Sequence, residues 1–166
     1  MIFTFNLAAL LNVLFAVAGL RATLPETRGK PVKLWRLGLP PIFCTVTSIV
    51  MLANTPTPHL LEFMWIGAAS AGAVAGIVAG SRVHLEVDQM WGAIRLKPSY
   101  AGLAAALGVL LTVFADSIAL WMGIGLWPPG HDPALGAALL SGFLDGRAWR
   151  IAARAVRSPH AELHVD

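Results

Sequence analysis

Leu60 to Arg82, LLEFMWIGAASAGAVAGIVAGSR, is the stretch whose reading decides the fold. It carries a single acid, Glu62, near its start and no further charge before Arg82. Twenty-odd mostly apolar residues match what a helix needs to cross roughly 30 Å of hydrocarbon. Within it Ala68, Gly72, Gly76 and Gly80 recur every fourth residue, so small residues fall on one helical face. Such a face lets another backbone approach closely, where dispersion and weak Cα–H···O contacts replace the missing hydrophobic drive. The stretch therefore reads as the central helix of a membrane bundle, with its glycine face turned to its neighbours. A glycine face lining a pore is the competing reading.

Composition agrees. Of 166 residues 57% are hydrophobic and 13% charged, about half the charge of an ordinary soluble domain. The single cysteine, Cys44, excludes an intramolecular disulfide and lies in an apolar run without a histidine. No basic cluster with interleaved aromatics stands apart from the membrane-flanking loops, so no nucleic-acid partner is expected.

Working outward, four more apolar runs flank the first. Residues 2–20 contain Asn6 and Asn12 and are followed, not preceded, by basic residues, which predicts an uncleaved helix rather than a signal peptide. Asn12, Ala16 and Gly19 share a face, and Asn12 is expected to bond across to a neighbouring helix. Arg21 to Arg36 reads as a polar loop with a lone acid, Glu26, because Pro25 and Pro31 oppose a continuous helix. Spans at 38–54, 60–81, 100–126 and 134–153 complete an all-α bundle of five transmembrane helices. Residues 1–157 then form one transmembrane domain, and 158–166 a flexible tail. Between the third and fourth spans, Val83, Leu85 and Val87 alternate with His84, Glu86 and Asp88, and Ile94 and Leu96 with Arg95 and Lys97. That period of two predicts a small β-hairpin turning at Gly92.

All twelve Lys and Arg residues lie in the first loop, the hairpin segment or the C-terminal stretch. Five spans gather every one of them on one side. By the positive-inside rule that side is cytoplasmic, with the N-terminus outside and the C-terminus inside. Arg147, Arg150, Arg154 and Arg157 share a face and predict an amphipathic stalk suited to anionic lipid or a membrane-protein partner.

Ionisable residues within spans are the default functional candidates. Asp116 lies on a stripe with Ala104, Gly108 and Thr112, and Asp145 beside Ala138, Gly142 and Gly146. Counted from the outer helix ends they fall at similar depth, an arrangement suited to a proton or cation relay. The structural alternative pairs Asp145 with Arg147 or Arg150, and Asp116 with Ser117 or Asn12. His59, Glu62, His131 and Asp132 lie toward the outer side and are the candidate metal ligands, though in no established ligand spacing. Trp35, Trp65, Trp91, Trp127 and Trp149 fall near predicted interfaces, as an aromatic belt would. No catalytic triad, phosphate loop or metalloprotease motif is present, and no enzymatic role or cofactor is expected. The sequence is compatible with a homo-oligomer.

The glycine-rich span followed by LEVDQMWGAIRLKPS at 85–99, and the closing LSGFLDGRAWR at 140–150, resemble small bacterial membrane proteins of the CcdC-like type over about residues 60–150. That resemblance implies a bacterial inner-membrane location and a link to cytochrome biogenesis, and it carries over no catalytic residue. With no membrane cysteine pair, a thiol–disulfide carrier is not expected. The functional expectation is a non-enzymatic accessory or assembly protein. A small proton- or cation-coupled transporter or channel using Asp116 and Asp145 is the alternative, and an outer-face metal chaperone a third.

Overall fold

A computed structural model describes residues 7–54, 59–122 and 133–159. Five helices dominate it: α1 (Leu7–Thr27), α2 (Leu39–Asn54), α3 (His59–Ser81), α4 (Ala101–Met122) and α5 (Pro133–Ala155). A small sheet is built from β1 (Val32–Lys33), β2 (Leu85–Asp88) and β3 (Ala93–Leu96), and a 3₁₀ turn, Leu34–Gly38, leads into α2. The segments Ala9–Thr27, Leu34–Ala53, Leu61–Ser81 and Ala101–Ala119 are each long and apolar enough to cross a membrane. The fifth helix is as long, but its charges keep it out of that group.

The hub of the bundle is α5, which packs against α2, α3 and α4, whereas α3 packs chiefly on α5. This corrects the expectation that the glycine-rich helix is central. Only its small-residue stripe is covered: Gly72, Gly76 and Gly80 are buried, Ala68 is half-buried, and Phe63, Ile66, Val74 and Val78 are exposed. A Cβ added at Gly72 would fall on the Leu139 carbonyl, at Gly76 on the Phe143 carbonyl, and at Gly80 beside the Arg147 carbonyl. Reciprocally, Gly142 and Gly146 of α5 meet the backbone of Ala69 and Ala73. Each pairing advances four residues in the same direction on both helices, so α3 and α5 run parallel with their backbones in contact. Gly108 meets Leu140, Gly136 meets Thr112 and Gly102 meets Arg147, which sets α4 antiparallel to α5.

The predicted hairpin is present and gains a third strand that the alternation did not announce, in the order β1-β3-β2. Its inner register pairs Val87 with Ile94 and Leu85 with Leu96, and Val32 joins Ile94 from the other edge. Asp88 closes the turn by accepting the backbone N–H groups of Met90 and Trp91 on Oδ1, at 3.0 and 3.2 Å. Gly92 adopts φ +58°, the left-handed conformation that favours glycine. Val32, Leu37, Val87, Ile94, Leu96, Ile151 and Ala155 form a second core, separate from the helical one. Three segments distant in sequence thus close into one cap at a single end of the bundle.

The first loop is shorter than expected, because α1 continues to Thr27 with Pro25 inside it. Proline forfeits one helical hydrogen bond, the one its N–H would donate to the Arg21 carbonyl, and α1 carries it in its last turn. Arg28 and Gly29 then donate their N–H groups to the carbonyls of Pro25 and Glu26, and Gly29, at φ +60°, ends the helix.

Candidate functional site

The extension of α1 changes the role of Glu26. Asn12, Ala16, Gly19, Thr23 and Glu26 follow at three- and four-residue steps and are all buried, so the inward stripe of α1 ends in a carboxylate. That carboxylate receives Arg147 Nη1 of α5 on Oε2 at 2.6 Å, and both side chains are more than nine-tenths covered. Gly102 forms the third wall. A Cβ there would lie 3.1 Å from Arg147 Nη1 and 3.3 Å from Glu26 Oε2, so a side chain at that position would have to push the pair aside by a few tenths of an ångström. Arg147 Nε and Nη2 have no hydrogen-bond partner among the described residues.

This geometry overturns the pairing of Asp145 with Arg147. Asp145 is exposed and accepts the Thr45 hydroxyl of α2 on Oδ2 at 2.9 Å. Its distance from Asp116 is also larger than helix counting suggests. The antiparallel register sets Asp145 level with about Leu103 of α4, some dozen residues from Asp116, or ~20 Å at 1.5 Å per residue. Helix-end counting failed because α4 and α5 are offset and because Asp145 lies near the end where α3 finishes. Asp116 is half-buried and engaged with other groups. Asn12 is buried as expected, but its Oδ1 accepts no hydrogen bond among the described residues.

Two more arginines of α5 shape the cap. Arg154 Nη1 stands within 2.7–3.1 Å of the carbonyls of Gly80, Ser81 and Val83. It closes the C-terminus of α3, where unpaired carbonyls and the helix dipole favour a cation. Trp149, Arg150, Ala153, Arg154, Arg157 and Ser158 line an open groove of about 430 Å³. Around the cap, Trp35, Met90, Trp91, Tyr100 and Trp149 are exposed, with Met90 at 82% and Trp91 at 70% forming the hairpin tip. The Arg36 guanidinium lies 5.5 Å from the Trp35 ring centroid, within cation–π range. Trp65 is engaged elsewhere: it donates Nε1–H to Ser48 Oγ at 2.9 Å and ties α3 to α2.

Of the candidate metal ligands, Glu62 is exposed in the first turn of α3, His59 stands at the start of that helix, and His131 and Asp132 lie outside the described residues. Among the described residues no three His, Cys, Asp or Glu side chains gather as a metal-holding group. The tail from residue 160 and Trp127 are likewise outside the described residues. No protein-family model, curated protein or solved structure matches the chain.

Proposed function

We propose that the protein is a five-span integral membrane protein of the bacterial inner membrane, with a non-enzymatic accessory or assembly role exercised through its cytoplasmic cap. The observation that carries this reading is the closure of β1, β2–β3 and the last turns of α5 into one apolar-cored unit. Eleven of the twelve Lys and Arg residues lie within 28–38, 82–97 and 147–157, the stretches that build or adjoin it, and Arg21 lies in the last two turns of α1. The parallel run of α5 beside α3 favours α5 as a fifth span, because a helix in backbone contact along an apolar helix traverses the same layer. Its charges near the cap are accommodated, Arg147 by Glu26 and Arg154 by the end of α3. The apolar side chains that α1–α4 leave exposed suit lipid.

A cap presenting Met90, Trp91 and Trp35 is suited to a partner of the membrane surface, since aromatic and methionine side chains are enriched in interface cores. The transporter reading is less well supported, because Asp116 and Asp145 stand at opposite ends of the bundle and cannot exchange a proton directly. The test is photocrosslinking in intact cells from residue 91 or 35, with residue 66 on the exposed flank of α3 as the comparison. A discrete adduct to one integral membrane protein is expected from 91 or 35 and not from 66. Lipid adducts alone at all three positions would refute a protein partner at the cap.

A further inference from the structure

The groove on the last turns of α5 has a chemistry that the accessory reading leaves unused. Arg150, Arg154 and Arg157 stand at i, i+4 and i+7, so their side chains rise from one face. Their states differ. Arg154 is held by the carbonyls at the end of α3, which fixes one wall. Arg157 is exposed, and Arg150 has a buried Nε with no hydrogen-bond partner among the described residues. Trp149 stands at the rim, 62% exposed, and none of the six lining residues is acidic. Ser158 donates its hydroxyl to the Arg154 carbonyl at 2.9 Å, while its own carbonyl accepts Gln89 Nε2–H from the hairpin at 2.9 Å. The far end of the groove is thereby anchored to the sheet.

Its level in the molecule identifies the ligand. The register of α3 and α5 puts Gly80 beside Arg147, so the groove begins about one residue beyond the last turn of α3. If α3 spans the hydrocarbon, this is the headgroup layer. Arg150 packs its Cβ beside Gly80, so the groove opens next to α3, whose flank exposes Val74 and Val78. Guanidinium groups bind phosphate in bidentate fashion, and an exposed tryptophan suits the same interfacial depth. We infer that this groove binds the phosphodiester of an anionic phospholipid, with Arg150 and Arg157 as its ligating cations. The inference rests on the membrane reading but not on a protein partner at the hairpin tip.

The experiment is native mass spectrometry of the detergent-extracted full chain titrated with phosphatidylglycerol, phosphatidylcholine or inorganic phosphate. Wild type is expected to hold one phosphatidylglycerol in preference to phosphatidylcholine. Arg150→Gln with Arg157→Gln should weaken that adduct about 30-fold, at roughly one fivefold step for each basic residue near an anionic surface. Arg28→Gln with Lys30→Gln removes equal charge elsewhere on the cap and should leave it unchanged. Arg157→Gln alone, at an exposed position, covers the case in which the double variant misfolds, with about a fivefold loss expected. Equal loss in both double variants, equal retention of phosphatidylcholine, or displacement of the lipid by millimolar phosphate would each overturn the proposal. Crosslinking from residue 91 in the same Arg150/Arg157 variant reports on the partner surface separately, so either reading can fail while the other stands.

Discussion

At the scale of the residue, the deciding pair is Glu26 and Arg147. Removing one partner of a buried ion pair leaves the other charge desolvated and unpaired, which costs about 3–5 kcal/mol. Replacing both by apolar groups of similar volume is often neutral or stabilising, because the desolvation of both ions is recovered. Arg147→Met is therefore expected to lower stability by about 3 kcal/mol, less if Glu26 reaches water at the bundle end. The double change Glu26→Leu with Arg147→Met should restore most of that loss. Denaturant unfolding of the four proteins in mild detergent reads the cycle, and a double change whose loss equals the sum of the two single losses would show that no pair energy exists. The pair was half legible in the sequence. The spacing Asn12, Ala16, Gly19, Thr23, Glu26 continues one inward stripe, but Pro25 reads as a stop unless it falls in the final turn. Arg147 was a visible candidate, yet a partner 121 residues away cannot be chosen by local spacing when Asp145 stands two residues off.

At the scale of the element, the contact between α3 and α5 rests on backbone against backbone. Gly72 and Gly76 face carbonyls that leave no room for a Cβ, whereas a Cβ at Gly67 would meet nothing within 4 Å. Gly76→Ala is thus expected to push the helices apart and cost about 1–3 kcal/mol, the usual penalty for overpacking. Gly67→Ala should be neutral or mildly stabilising, since alanine has the better helix propensity by about 1 kcal/mol. Gly76→Leu should be worse than Gly76→Ala. Thermal midpoints in detergent separate the three, and equal midpoints for Gly76→Ala and Gly67→Ala would mean that the stripe faces lipid. The four-residue period announced the contact surface of α3. It did not announce that α3 is peripheral, because a glycine stripe specifies close approach to one neighbour and says nothing of how many neighbours there are. The hub is α5, the least apolar of the five helices, two of whose arginines, Arg147 and Arg154, find partners in α1 and at the end of α3.

At the scale of the whole molecule, charge placement and topology test one another. Alternate polar segments of the sequence hold every Lys and Arg, and in the fold those segments build or adjoin one sheet-and-helix cap, except that Arg21 falls in the last two turns of α1. The third strand was not legible, since Val32 and Lys33 are too few to carry a period and acquire strand structure only by pairing with Ile94 and Ala93. The parallel course of α3 and α5 requires that α4 cross back between them, so a helix count of four spans would leave α5 beginning and ending on the side opposite the cap, although its last turns build the cap. Five spans instead put residues 57 and 130 on the side opposite residue 158. Single cysteines at these positions, in a Cys44→Ala background, distinguish the two arrangements. Alanine suits that background because Cys44 is fully buried against Gly19, where a Cβ would come within 2.9 Å of its Sγ, and the smaller side chain adds no polar group there. A membrane-impermeant maleimide applied to intact spheroplasts is expected to label positions 57 and 130 and to reach 158 only after the membrane is opened. Labelling of 158 with protection of 57 and 130 in sealed spheroplasts would invert the orientation and remove the cytoplasmic cap, whereas labelling of all three would deny that α5 crosses. Protection of 130 beside labelling of 57 would instead deny that α4 and α5 both cross, and with it the place of α5 as the fifth span.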